Sequence, residues 1–290
     1  MTSSLREAVR DAVQALADAG IDSAEFDAVA LAAHVLRTSP GEVRKLMIMG
    51  APVPDGLDDL VAERARRVPL QHLTGKAGFR RLDLSVGPGV FVPRFETEFV
   101  AGLAIAILRH FLGGAPVLVA PVVVDLCTGS GAIALAIKDE VPAAEVHGVE
   151  LSDLAHAWAI RNRDDLGLDV DIRLGDATLA FPELEASVDV VVSNPPYIPA
   201  GAVPNEPEVR DHDPEVALYG GSSDGLRIPL EVAARAAVLL RAGGFFVMEH
   251  ADVQGGSLSA ALRATGVWQD IEDHADLNGR PRAVTAVRAH

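Results

Sequence analysis

Four short stretches carry residues whose types and spacing could do chemistry. In Asp125-Leu-Cys-Thr-Gly-Ser-Gly-Ala-Ile133, Gly129 and Gly131 let the backbone turn tightly and approach a ligand at a helix N-terminus. This G-x-G-x-x-A spacing also describes dinucleotide binders. In Gly148-Val149-Glu150-Leu151, an acidic residue about 20 positions after the glycines can accept hydrogen bonds from ribose hydroxyls. Leu174-Gly175-Asp176-Ala177 offers another carboxylate, suited to an adenine amino group. Together the three describe an adenosine-containing ligand. The fourth stretch is Ser193-Asn-Pro-Pro-Tyr-Ile198, which ends the apolar run Val188 to Val192. Two consecutive prolines cannot continue a central strand, because each lacks the N–H a ladder needs.

That fourth stretch suits methyl transfer to a planar nitrogen. An amide nitrogen is a poor nucleophile, since its lone pair is delocalised into the carbonyl. A site must hold it in line with the methyl–sulfur bond and favour pyramidalisation. Two acceptors do this by binding both N–H groups: the side-chain oxygen of Asn194 and the backbone carbonyl of Pro195. Pro195 and Pro196 stiffen the turn, and Tyr197 supplies a flat apolar face for the amide. No strong base is required, because attack itself acidifies the proton that leaves.

These residues must be positioned by elements that the rest of the chain predicts. Apolar β-branched runs at 122–126, 145–151, 170–174, 188–192, 244–249, 268–272 and 283–287 alternate with helical segments at 132–140, 153–166, 226–240 and 256–265. Near-continuous apolar strands with helices between them imply an α/β fold with a mostly parallel seven-stranded sheet covered on both faces. In such a sheet ligands bind outside the carboxyl ends of the strands, where all four stretches fall. Before it, residues 1–75 read as four helices, the first opened by the capping box Ser4-x-x-Glu7 and the second capped by Asp22 or Ser23. Ser39-Pro40 starts a third, and 57–67 forms a fourth. Residues 76–90 read as a hairpin linker, and 91–290 as the sheet domain. Residues 198–225 show little periodicity and leave directly from the Asn-Pro-Pro-Tyr turn, which predicts a flap over the acceptor.

Composition bounds the function. The chain has 290 residues and a net charge of −16, with 8 Lys/Arg against 11 Asp/Glu in residues 1–75 and 17 against 30 in the remainder. Such a surface repels phosphate backbones and disfavours nucleic acid as the main substrate. The single cysteine, Cys127, excludes an internal disulfide and fits a reducing cytosol. The N-terminus lacks the apolar core of a signal peptide. The longest apolar stretch, Ala115 to Val124, is about half a membrane span and holds Pro116 and Pro121. A soluble, cytoplasmic protein without membrane contact is expected. His72, His212, His250 and His274 show no metal-ligand spacing and read as helix-end or solvated residues; Trp158 and Trp268 read as core.

The four stretches resemble the motifs of class I S-adenosylmethionine-dependent methyltransferases acting on planar nitrogens. Val90-Phe-Val-Pro-Arg-Phe-Glu-Thr-Glu98 narrows the likeness to the peptide chain release factor N(5)-glutamine methyltransferases, which 64–75, Glu206-Pro-Glu-Val209 and Leu277-Asn-Gly-Arg-Pro-Arg282 also resemble. The resemblance implies a Rossmann-like domain and S-adenosyl-L-methionine as cofactor, with S-adenosylhomocysteine as product. It implies methylation of the glutamine in the Gly-Gly-Gln loop of class 1 release factors, in translation termination, gripped by the helical domain. Thr128, Gly129, Ser130, Gly131, Glu150, Asp176, Ala177 and Asn194 would contact the cofactor, and Asn194, Pro195, Pro196 and Tyr197 would hold the glutamine. Phe91, Arg94, Glu96 and Thr97 would line the cleft near the methionine end. Cys127 stands where many members have glycine and reads as a small buried thiol; Phe95 replaces a usual proline, and Ala177 a position where an aromatic can stand. Asn-Pro-Pro-Tyr also permits methylation of a ribosomal-protein glutamine or of an exocyclic adenine amine. A silent cofactor-binding protein and an NAD-dependent oxidoreductase are rivals from other classes; intact Asn194 and Tyr197 argue against the first, and no hydride-transfer site supports the second.

Overall fold

The computed structural model describes residues 4–113 and 120–290. Of the apolar run noted above, 115–119 lie outside the described residues. Two compact units divide the chain, one of residues 1–76, 86–88 and 204–212, the other of 77–85, 89–203 and 213–290.

The first unit is helical: α1 (Leu5–Asp18), α2 (Ala24–Leu36), α3 (Pro40–Ile48), α4 (Leu57–Ala65) and α5 (Leu70–Thr74). The capping box on α1 is formed, with the Glu7 N–H donating to Ser4 Oγ at 3.3 Å and the Ser4 N–H donating to Glu7 Oε2 at 2.9 Å. Leu5, Val9, Ala12 and Leu16 then face the core at helical spacing. Ser39 caps α3 ahead of Pro40. Ser23 holds the cap position of α2 but makes no cap bond there; its hydroxyl donates to Asp27 Oδ1 at 2.9 Å instead. Asp27 is buried and takes Arg64 Nε at 2.7 Å, so the serine satisfies a buried ion pair in place of a helix end.

The stretch read as aperiodic contains a short helix that belongs to this unit. In sequence order it lies beyond six further strands and three α-helices, and it covers Pro207–His212. Its Glu208 receives Arg64 Nη1 and Arg67 Nη2, each at 2.7 Å. Burial raises the Glu208 carboxyl, but Arg67 and Arg64 outweigh it and hold the pKa below the ordinary carboxylate value. These pairs, invisible to periodicity, hold 207–212 to the helical unit, while Pro214, Val216 and Ala217 of the same stretch line the cavity described below.

The second unit opens with a hairpin of β1 (Lys76–Phe79) and β2 (Leu82–Ser85), followed by α6 (Phe95–Gly113), a 19-residue helix that the sequence reading leaves unassigned. Then come β3 (Val122–Leu126), α7 (Ala132–Glu140), β4 (Glu145–Glu150), α8 (Asp153–Leu166), β5 (Asp171–Leu174), β6 (Val188–Ser193), the short helix just described (α9), α10 (Arg227–Leu239), β7 (Leu240–Glu249), α11 (Gly255–Thr265), β8 (Trp268–Ala275) and β9 (Pro281–Arg288). The strand order is β5-β4-β3-β6-β7-β9-β8, parallel except where β9 pairs antiparallel with β7 and β8. This is the Rossmann-like, mostly parallel seven-stranded α/β sheet expected. Alternate residues of β3, and of β6 beyond the register shift between Val188 and Val190, feed two cores. Val123, Val190 and Val192 pack with α6, α7, α8 and the hairpin's Phe79, Leu82 and Leu84. Val124, Leu126, Val188 and Val191 pack with α10 and α11. The hairpin residues are therefore part of a core as well as a connection.

Among the described residues no helix is long and apolar enough to cross a membrane. Trp268 is core, stacked on Phe246 at 4.9 Å between ring centroids, but Trp158 is only half-buried, with Arg161 over its ring. His250 departs from the solvated reading: it is fully buried, with Nδ1 on Ala251 O at 2.8 Å and Nε2 on Asp273 Oδ1 at 3.1 Å.

Candidate active site

The neighbours of β3 diverge in sequence: β4 follows it on one side and β6 lies on the other, so a crevice opens at their carboxyl ends. A cavity of about 760 Å³ occupies it, within the range of small-molecule sites. The turn after β3 forms its floor. Gly129 and Gly131 take positive φ, 59° and 84°, and a Cβ on Gly131 would sit 2.9 Å from Leu135 Cδ1. Cys127 also takes φ 69°, a left-handed conformation that glycine adopts without strain. It is half-buried and lines the cavity; burial, with the charges of Glu150 and Asp125, raises its thiol pKa, so it is held neutral.

Asp125 organises this turn from inside. It is fully buried, and its Oδ2 accepts the Thr128 hydroxyl at 2.6 Å and the Ala134 N–H at 3.1 Å. Asn162 braces the turn from α8: its Nδ2 donates to Ser130 O and Ser85 O, both at 3.0 Å, and its Oδ1 accepts the Ser85 N–H at 2.7 Å. Glu150, at the end of β4, accepts the Gly129 N–H on Oε2 and the Ser152 N–H on Oε1, both at 2.8 Å. Burial raises its pKa against those two donors. A carboxylate has about four lone-pair sites, so Glu150 keeps acceptor capacity for a ligand hydroxyl. Asp176 uses Oδ1 on the N–H and hydroxyl of Thr178, each at 2.8 Å, and lines the cavity with Ala177.

The turn after β6 is fixed on three sides. Ser193 Oγ donates to Leu126 O at 2.5 Å, which ties it to the glycine turn. Gln254 Nε2 donates to Tyr197 O and to Asp224 O, both at 2.8 Å, and its Oε1 accepts the Ala251 N–H at 3.0 Å. The Asn194 Nδ2 donates to Thr97 Oγ1 at 3.2 Å. Among the described residues no hydrogen bond uses the Pro195 carbonyl. Beneath the turn, Glu249 at the end of β7 is buried; its Oε2 accepts the Thr97 hydroxyl at 2.7 Å and its Oε1 the Tyr197 hydroxyl at 3.1 Å. Burial and the charge of Glu249 raise the Tyr197 pKa, so the phenol stays protonated and donates.

Of the residues singled out from sequence, Phe91, Thr97, Thr128, Gly129, Ser130, Glu150, Asp176, Ala177, Asn194 and Pro196 line this one cavity. Gly131, Pro195, Tyr197, Glu96 and Arg94 do not line it. Arg94 donates to Asp213 Oδ2 at 2.7 Å and lies 5.0 Å over the Phe91 ring, so it backs a lining residue. Asp125, Asn162, Gln254 and Glu249 were not singled out individually. Only their polarity at an apolar strand end or helix face could have flagged them, since buried polar groups demand partners.

Two buried carboxyls titrate unusually. Burial pushes Asp125 up to about 7, against its bonds from Thr128 and Ala134. Burial likewise pushes Glu249 up to about 7, against Thr97, the charge of Arg282 and the Tyr197 hydroxyl. Unfolded, the two would lose their protons near 3.8 and 4.5. The native state therefore binds more protons between those values and about 7, so stability falls as pH rises through that window and levels off above it. Each group costs roughly 3–4 kcal/mol when ionised. The melting temperature of the cofactor-free protein should drop by several degrees from pH 5 to pH 7.5, and a scanning-calorimetry series showing it level or rising would refute this.

Comparison with known proteins follows the same lines. Residues 7–75 match the PrmC N-terminal domain family, and residues 109–206 the Methyltransferase small domain family. A protein named release factor glutamine methyltransferase from Streptomyces coelicolor is 50% identical over 97% of each chain. One of the same name from Mycolicibacterium smegmatis is 44% identical over 98% of each. A protein from Streptomyces pristinaespiralis named 4-amino-L-phenylalanine/4-methylamino-L-phenylalanine methyltransferase is 40% identical over 99% of this chain and 96% of its own. The chain belongs to the release factor glutamine methyltransferase family.

Proposed function

We propose that this enzyme transfers the methyl group of S-adenosyl-L-methionine to the side-chain amide nitrogen of the glutamine in the Gly-Gly-Gln loop of class 1 peptide chain release factors. The observation that carries this reading is the shared cavity. Asn194, with its amide on Thr97, lines the same space as Gly129, Glu150 and Asp176. The residues fit an adenosine-bearing cofactor. Glu150 retains acceptor capacity for ribose hydroxyls, Asp176 suits an adenine amino group, and the Gly129 turn brings backbone close to the ligand. S-adenosyl-L-methionine, held there by Gly129, Glu150 and Asp176, would supply an electrophilic methyl group, with S-adenosylhomocysteine as the product.

The chain's own residues then act on the acceptor. Asn194 Oδ1 and the Pro195 carbonyl accept the two amide N–H groups, which orients the nitrogen and favours its pyramidal form. Pro195 and Pro196 keep both acceptors from moving during attack. Tyr197, with its hydroxyl fixed on Glu249, holds the far end of this turn in place and is the aromatic face nearest in sequence to the two acceptors. Nothing on the chain need be a strong base. A net charge of −16 favours a protein acceptor over a nucleic acid.

Incubation of the protein with S-adenosylmethionine and a purified class 1 release factor should add one methyl to the Gly-Gly-Gln peptide, read by mass spectrometry. Methylation of 4-aminophenylalanine or of a ribosomal protein, with the release factor untouched, would replace this reading.

A further inference from the structure

We propose that Glu249 is a positioning residue for methyl transfer: through the Thr97 hydroxyl it sets which end of the Asn194 amide faces the acceptor. This deepens the reading given under Proposed function and rests on it. Three distances define the relay. Thr97 Oγ1 lies 2.7 Å from Glu249 Oε2, Asn194 Nδ2 lies 3.2 Å from Thr97 Oγ1, and the Tyr197 hydroxyl lies 3.1 Å from Glu249 Oε1.

A threonine hydroxyl has one hydrogen to donate. Ionised Glu249 can only accept, so it takes that hydrogen. Thr97 Oγ1 must then accept from Asn194, which turns Nδ2 inward and leaves Oδ1 to face the acceptor amide. An asparagine with the opposite polarity would point N–H at N–H and repel the nitrogen it should hold. The same carboxylate takes the Tyr197 hydroxyl on its other oxygen, so one buried charge orients both polar side chains of the catalytic turn. A protonated Glu249 could donate to Thr97 Oγ1. That would free the threonine hydrogen for Asn194 Oδ1 and reverse the amide.

The surroundings keep this charge adjustable. Burial pushes Glu249 up to about 7, Arg282 of β9 favours its ionised form, and Glu96 of α6 opposes it. Thr97 of α6 and Tyr197 beyond β6 complete the groups that face it, while Arg282 is itself shared with Asp276 at 3.5 Å. His250, the next residue, is turned away to Asp273. The acceptor-competent polarity of Asn194 thus belongs to the upper side of neutrality, and turnover should fall about tenfold per pH unit below the midpoint.

The test has two arms on the full-length protein. The first is independent of any acceptor. In amide-labelled protein, the Asn194 side-chain NH2 signals should shift with a midpoint near pH 7 in the wild type and stay fixed in Glu249→Gln; signals that never shift, or that shift equally in both, overturn the relay. The second uses S-adenosylmethionine and a class 1 release factor. Glu249→Gln should lower kcat at pH 8 by at least tenfold, flatten the acid limb, and leave cofactor Kd within threefold. Wild-type kcat, or an unchanged acid limb in Glu249→Gln, overturns the proposal. Should Glu249→Gln not fold, Thr97→Val and Thr97→Ser decide it: serine should recover most of the rate that valine loses, and equal rates would overturn it. A wild type that methylates no release factor refutes the substrate assignment, while the first arm still decides the relay.

Discussion

Replacing Asn194 with alanine is expected to lower kcat for release-factor methylation by about a hundredfold to a thousandfold, with cofactor Kd changed by less than about tenfold. The substitution removes one of two acceptors that hold the amide, and loss of one preorganised hydrogen-bonding group at a reacting centre typically costs 10²–10³ in rate. It also removes the partner of Thr97, whose hydroxyl remains on Glu249 at 2.7 Å, so this side of the cavity keeps its anchor. Gly129, Glu150 and Asp176 sit on other strand exits and are untouched, which is why binding and turnover should separate. Single-turnover rates with saturating cofactor read the effect directly. A variant within tenfold of the wild type, about 1.4 kcal/mol, would mean that the acceptor nitrogen is held by something else.

The second large effect should come from a residue with no side chain. Gly225 takes φ 74°, and a Cβ there would lie 2.1 Å from the Tyr197 carbonyl and 2.9 Å from the Pro199 nitrogen. That carbonyl is already committed to Gln254 Nε2 at 2.8 Å, so neither side has room to yield. Gly225→Ala must push the chain immediately after Asn194-Pro-Pro. We expect a loss of about 2–3 kcal/mol in stability and at least about a hundredfold in kcat for the fraction that folds. Gly201→Ala is the matched control. It has φ 86° with nothing within 4 Å of its Cβ, so it should show the left-handed backbone cost of about 1–2 kcal/mol and near-normal turnover. Urea titration and kcat for the pair separate strain from displacement; equal behaviour of the two would show that this contact does not hold the catalytic turn.

The sheet was legible because its strands are short β-branched runs separated by stretches of helical period. Val122–Leu126, Ala132–Glu140 and Asp153–Leu166 fall at the expected bounds. The end of β6 was legible because two consecutive prolines cannot continue a strand ladder. Helix α6 was not, and the reason is burial. Val100, Ala101, Ala104, Ile105 and Leu108 are buried, and Phe99, Leu103 and Ile107 are covered on a further side. No polar face remains to mark a 3.6-residue period. Glu249 was hidden for a related reason: it ends a strand, and nothing local says that its partners lie 52 and 152 residues away. Glu208, expected in a flap, meets Arg67 and Arg64 across 141 and 144 residues. Long-range pairs of this kind leave no trace in sequence spacing.

The path of residues 204–212 has a consequence for how such a protein could be recombined. The chain leaves the catalytic turn, contributes α9 to the helical unit, and re-enters the sheet unit at Asp213. A helical module cut out at residue 75 would therefore lose Glu208, and its Arg67 and nearly buried Arg64 would lose a shared counter-charge. Grafting such a module onto another catalytic domain by simple end-to-end fusion should yield an unstable hybrid.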